Sequence, residues 1–308
     1  MMDAATWVDL ERAGIDGELT PPIILARPSR QTTPIVFCSP HSGRTYPTPF
    51  LAMSRLSSLA LRRSEDAYVD QLFATAVVHG APLVAACFPR AYLDVNREPL
   101  ELDPKLIDGP LPPSANTASA RVAGGLGTVP RLVADGEDIY AGRLPVEAVI
   151  LRIERLYKPF HETLAGVLAD TVAQFGVAVL VDCHSMPSAA VGSGAALRPH
   201  FVIGDRFGTS CAPEVTRTIT RFLTSGGYDV QANRPYAGGF ITEHYGRPQA
   251  RVHAVQIEIN RALYLDETTL ALRPHFGAFA AVIDGLVSRA AAMGRSWIDP
   301  SAYRIAAE

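Results

Sequence analysis

Two histidines, each placed where an apolar run ends, are the residues in this sequence best suited to chemistry. Pro34-Ile35-Val36-Phe37-Cys38-Ser39 leads into Pro40-His41-Ser42-Gly43, and Val177-Ala178-Val179-Leu180-Val181 leads into Asp182-Cys183-His184-Ser185. Neutral imidazole suits zinc, and catalytic zinc typically keeps three protein ligands and one position open to water. A lone histidine at a strand end is more often structural. Two of them, delivered to matching strand ends from distant points in the chain, predict a metal site with hydrolysis as its chemistry. The third ligand is expected to be a carboxylate, with Asp66 ranked ahead of Glu65. Both lie near the start of a helical periodicity, where acidic residues also serve the helix dipole.

Other polar residues gather around the same chemistry. Asp182 and His184 share a face if the strand continues to His184, so Asp182 could orient an imidazole, with Cys183 on the other face. Arg90, Asp94, Asn96 and Arg97 make a polar cluster in which an arginine fork matches a carboxylate bidentately. Standing alone, that segment would read as a solvated turn. Glu258 follows Gln256 on the polar face of an otherwise apolar run, Val255-Gln256-Ile257-Glu258-Ile259. A carboxylate there must be paired, protonated or functional, which makes Glu258 the general-base candidate. Its ordinary alternative is an ion pair with Arg251 or Arg261. Gly238-Gly239 through Gly246-Arg247-Pro248 reads as a glycine-flanked loop, in which Gly239, His244 and Tyr245 could meet substrate.

These residues need elements to carry them. The runs ending at positions 39 and 181 read as buried strands of an α/β sheet, whose carboxyl edge is where ligands collect. Apolar residues at helical spacing from Leu56 to Val77 predict one helix closed by Gly80. Short strands are expected at 83–87 and 91–94. Pro145 fits the first turn of a long helix that Pro159 should kink and Gly176 should end. Strands at 200–203 and 252–259 flank a helix near 213–224, and Asp266 is expected to cap a final helix. The Pro- and Gly-rich stretch 103–143 reads as a lid or long loop, within a single domain spanning 1–308.

Bulk properties exclude several classes. With 48% apolar residues and a formal charge of −3, the chain has no electrostatic case for nucleic acid. No apolar run is expected to reach a membrane span, and the N-terminus lacks the order of a signal peptide. Four cysteines in 308 residues make no disulfide framework, so the expectation is a cytoplasmic protein with no membrane partner. Oligomeric state has no sequence signature here.

Taken together, the motifs resemble the N-formylglutamate amidohydrolase family. The resemblance rests on Pro40-His41-Ser42-Gly43-Arg44, Glu65-Asp66-Ala67-Tyr68-Val69-Asp70, Asp94-Val95-Asn96-Arg97-Glu98-Pro99, Tyr157-Lys158-Pro159-Phe160-His161, Asp182-Cys183-His184-Ser185-Met186, and Gly238-Gly239-Phe240-Ile241 through Glu258. It implies a three-layer α/β/α fold with a central mixed sheet, similar to zinc-carboxypeptidase-like (phosphorylase/hydrolase-like) folds. It also implies hydrolysis of N-formyl-L-glutamate to formate and L-glutamate, a step in histidine breakdown, with one Zn2+ per chain. The metal site then falls on His41, Asp66 or Glu65, and His184. Asn96-Arg97 matches the pair that holds a terminal carboxylate in zinc carboxypeptidases, and Glu258 takes the catalytic glutamate's place. Arg90 or His244 would assist the developing oxyanion. The first helix departs from the Asp-Trp pair of many relatives. A related metallohydrolase acting on another N-acyl amino acid or peptide end, and a non-catalytic binder of acidic amino acids, are the rival readings.

Overall fold

Runs of β-branched and apolar residues form the strands of a mixed sheet, β1 Ile23–Ala26, β2 Ile35–Ser39 and β3 Leu83–Ala86 being the first three. Two short strands follow, β4 Ile107–Asp108 and β5 Leu144–Pro145, then β6 Ala178–Met186, β7 Phe201–Gly204, β8 Val230–Ala232 and β9 Val252–Asn260. The computed structural model describes residues 4–133, 136–190 and 199–298. Seven strands order as β1-β3-β2-β6-β9-β7-β8, while β4 and β5 pair separately. β6 runs parallel to both β2 and β9, β7 is antiparallel to β9, and β8 is parallel to β7. This is an α/β fold with a central mixed sheet and flanking helices.

The chain divides into two compact units. The first comprises Met1–Ile24, Pro40–Ala67 and Ala85–Thr163. Phe50, Tyr92 and Tyr140 form its aromatic centre, with Phe50 5.1 Å from Tyr92 and 5.7 Å from Tyr140. The second comprises Leu25–Ser39, Tyr68–Val84 and Leu164–Glu308. Its sheet is buried along the whole of β2 and β6. Helix Pro213–Ser225 buries Val215, Ile219 and Leu223, a stripe at four-residue spacing of the kind that packs against a neighbouring element.

Several elements differ from the sequence expectation. β6 does not stop at position 181 but runs on through Asp182 and His184 to Met186, so His184 lies within the strand. The helix expected over 56–77 is broken into Ser58–Arg62, Val69–Leu72 and a 3-10 turn, Ala74–Val77. Tyr68 takes a left-handed φ of 65°, which no continuous helix accommodates. Positions 91–94 form no strand, because the Tyr92 and Leu93 N–H groups both donate to the Pro89 carbonyl and close a turn. The Pro159 kink is replaced by a π-helical turn, Ile153–Tyr157, between helices Val146–Arg152 and Lys158–Phe175. A widened turn absorbs the steric demand of the proline ring without ending the helix. Asp266 caps a local turn through Thr268 and Thr269 rather than the final helix, which begins at Phe276. Residues 240–245, expected in a loop, form the short helix Phe240–Tyr245.

That final helix, Phe276–Ile298, also corrects the membrane-span expectation. By length and composition it is apolar enough to cross a membrane. The core helix of a folded domain passes the same test, and Phe279, Ile283, Leu286, Val287 and Ala290 are buried here. The 103–143 stretch is locally ordered, with β4, helix Ala120–Ala123 and an Arg131–Asp103 ion pair at 2.9 Å; positions 134–135 lie outside the described residues.

Candidate metal centre and active site

His41 follows β2 in a turn that Gly43 makes possible. A Cβ on Gly43 would lie 2.1 Å from the Phe88 carbonyl oxygen, so the two backbone segments pack face to face. The His41 carbonyl accepts from the Asp66 N–H at 3.0 Å, which fixes the break between helices beside the histidine. Asp66 Oδ2 then stands 3.4 Å from His41 Nδ1, with both side chains buried. Glu65, the other candidate carboxylate, accepts instead from Tyr46 at 2.8 Å and from the Arg62 guanidinium at 3.0 and 3.2 Å. The geometry selects Asp66.

The other nitrogen of His41 is fixed by Asp94, whose Oδ1 lies 2.7 Å from Nε2. Burial works against the Asp94 charge, but Arg90, Arg97 and His41 outweigh it and hold the carboxyl well below its usual range. An ionised carboxylate can only accept, so Nε2 carries the hydrogen. In the neutral ring Nδ1 then presents a lone pair towards a second acceptor, Asp66. Two acceptors facing each other at this distance call for a cation between them, either a proton or a metal ion.

His184 lies on β6. Its Nε2 is 3.0 Å from Asp182 Oδ1, two residues back on the same strand face, and Asp182 Oδ2 accepts from Thr242 at 3.4 Å. The parallel register sets His184 opposite Glu258 and Asp182 opposite Gln256. Cys183 falls on the other face, its thiol pushed up by burial and by the Asp182 charge. Glu258 is 8% exposed on a strand whose residues from Ala254 to Asn260 are all buried. A relay holds it there: the Gly239 N–H donates to Gln256 Oε1 at 2.8 Å, and Gln256 Nε2 donates to Glu258 Oε1 at 2.9 Å. Gly239 is the N-cap of helix Phe240–Tyr245.

His41, Asp66 and His184 form a buried His/Asp/His group able to hold a metal ion. Two imidazoles and a carboxylate are the donor set of an open catalytic zinc site, so the residues fit the group.

A family model for N-formylglutamate amidohydrolase matches residues 33–265. An N-formylglutamate deformylase from Pseudomonas aeruginosa PAO1 is 31% identical over 271 residues, covering 86% of this chain and 96% of its own. The chain belongs to the N-formylglutamate amidohydrolase family. A deformylase from Pseudomonas putida is 32% identical over 206 residues, 66% of this chain and 71% of that one. The crystal structure of an N-formylglutamate amidohydrolase from Ralstonia eutropha JMP134 superposes with a TM-score of 0.84 at 35% identity, covering 89% of this chain and 98% of that chain. Family membership and the His/Asp/His group together make this a metal-dependent amidohydrolase.

The remaining candidates of this family member are placed as follows. Arg90 donates to Asp94 Oδ2 at 2.7 Å. Arg97 lies 3.6 Å from the same oxygen and donates to the Leu126 and Asn96 carbonyls at 2.9 and 2.8 Å. The Asn96 N–H donates to Asp94 Oδ1 at 2.8 Å. His244 stacks on Phe240 at 4.9 Å, and burial together with Arg247 lowers its pKa, so the ring is neutral near pH 7. Burial pushes the Tyr245 phenol up. Asp94 is the residue that sequence reasoning underrated, reading it as one member of a polar cluster. The signal was present, since it is the lone acid between Arg90 and Arg97.

Proposed function

We propose that this amidohydrolase hydrolyses N-formyl-L-glutamate to formate and L-glutamate. The observation that supports the reading most is His41, held by Asp94 so that its second nitrogen meets Asp66, within a chain of this family. His41, Asp66 and His184 would hold one divalent ion, Zn2+ by the softness of imidazole. Such an ion supplies Lewis-acid polarisation of the amide carbonyl and acidifies water.

The chain's own residues do the rest. Glu258, oriented by Gln256, takes a proton from the attacking water as its oxygen bonds to the formyl carbon. The same proton passes to the nitrogen as the carbon–nitrogen bond breaks, releasing the amine of glutamate and leaving formate. Asp182 keeps the His184 ring in place. Arg97, Asn96 and Arg90 would hold a substrate carboxylate by charge-assisted hydrogen bonds. His244, kept neutral, can donate to the developing oxyanion, and Tyr245 and Gly239 lie on the same helix or its cap.

The zinc-carboxypeptidase-like assignment of the fold, the 103–143 lid and a cytoplasmic role in histidine breakdown belong to this proposal and rest on the resemblance. The test is metal content of the purified protein, then release of the free amine from N-formylglutamate compared with N-acetylglutamate and with short peptides, formate being assayed alongside for the first. Formate release with one metal ion per chain is expected. Preference for the acetyl substrate or a peptide would move the reading to a related metallohydrolase. Tight binding of glutamate without turnover would make the protein a sensor.

A further inference from the structure

Helix Ala4–Glu18 lies ahead of residue 33, where the family match begins, yet it sends a carboxylate into a buried polar cluster of the first unit. Glu11 is 1% exposed and its partner Arg152 is completely buried. The Arg152 guanidinium donates to both Glu11 oxygens, through Nε to Oε1 and through a terminal nitrogen to Oε2 at 3.2 Å. The Tyr92 hydroxyl donates to Glu11 as well. The guanidinium carbon sits 4.0 Å from the centre of the Tyr92 ring. Its other terminal nitrogen donates to the Tyr140 hydroxyl at 2.7 Å and to the Tyr92 backbone carbonyl at 3.1 Å.

A buried ion pair of this kind contributes little net stability compared with well-packed apolar residues. The contact with the Tyr92 carbonyl suggests what it is for. Tyr92 stands two residues before Asp94 in a segment without regular structure. The Asp94 N–H is tied to the Thr128 carbonyl at 2.8 Å, and Arg152 ties the other end. Asp94 in turn sets the His41 tautomer.

We infer that Glu11 and Arg152 are positioning residues that fix the 92–94 segment, and through Asp94 the His41 ligand geometry. This rests on the metal-site reading above. Partners that orient a ligand from behind typically change metal affinity by about 10–100-fold when lost.

The experiment uses the full chain loaded with Co2+ or Zn2+. In the Glu11→Leu/Arg152→Met double variant, apolar side chains replace the ion pair, so no unpaired charge is buried. The Tyr92 and Tyr140 hydroxyls and the Tyr92 carbonyl lose partners, so the melting temperature should fall by several degrees, while the folded protein's Co2+ affinity falls about tenfold and its visible Co2+ bands change. Glu11→Asp, a milder change that draws the guanidinium away from Tyr92, should shift both readouts in the same direction by less. Normal Co2+ affinity and spectrum in both folded variants would overturn the inference and leave the pair a structural element. Should the double variant fail to fold, Glu11→Asp alone decides. Absence of metal binding in the wild-type chain would overturn the metallohydrolase reading itself, and is seen before any variant is made.

Discussion

At the scale of single residues the site separates into groups that bind and a group that moves a proton, and substitutions should split along that line. Glu258→Gln keeps the size and the Gln256 contact but removes the carboxylate. Its kcat should fall by roughly 10²–10⁴-fold with metal content unchanged. Near-normal turnover would pass the role of base to His244, and metal loss would make Glu258 a ligand. Asp94→Asn tests the other side of the line. An amide can donate as well as accept, so it no longer forces the hydrogen onto His41 Nε2, and the charge is gone. Zinc affinity, measured by competition with a chelator, should drop about 10–100-fold. Unchanged affinity would leave Asp94 as no more than the partner of Arg90 and Arg97. His41 and His184 are legible in the sequence because each is a polar residue in or beside an apolar run, where burial demands a reason. The choice of Asp66 over Glu65 is not secure from spacing alone. What decides it is Arg62 and Tyr46 claiming Glu65, and those are tertiary contacts.

At the scale of elements, strands β2, β6 and β9 are legible from their apolar runs, and the helix 213–225 from its period. Two of the failures lie at the metal ligands. β6 is truncated in the reading because Asp182, His184 and Ser185 resemble turn residues, yet pairing with β2 and β9 carries the strand through them. The 56–77 periodicity hides a break because a left-handed Tyr68 has no local signature, and Asp66 lies inside that break. The loop after β2 is the most constrained of these connections. Gly43→Ala would drive a methyl into the Phe88 backbone, which cannot rotate away as a side chain could. Overpacking typically costs about 1–3 kcal/mol, so the melting temperature should fall by several degrees. Because His41 is two residues away, metal affinity should fall as well. A Gly43→Ala variant with wild-type stability would mean that the two backbone segments separate easily.

At the scale of the molecule, the alternation of strand-like and helix-like apolar runs gives the α/β class and the charge argues against nucleic acid, while the two units carry no mark in the sequence. Each is assembled from three separated segments, so no linker or shift in composition announces them. The ligand set shares that property. Positions 41, 66 and 184 are far apart along the chain, and an unfolded chain has no means of presenting the three donors together. Metal should therefore bind the folded state almost exclusively and stabilise it by mass action. With free metal at 100 times its dissociation constant the gain is about 2.7 kcal/mol. Stripping the protein with a chelator should lower the melting temperature by a few degrees while leaving the far-ultraviolet spectrum intact. Zn2+ should restore the temperature with a logarithmic dependence on concentration, and Ca2+, which prefers six to eight oxygen ligands, should not. His41→Ala and His184→Ala should each abolish the Zn2+ response, since a three-ligand site cannot easily spare one. If either variant keeps the full response, the stabilising ion lies elsewhere and the His/Asp/His group is not the protein's metal site.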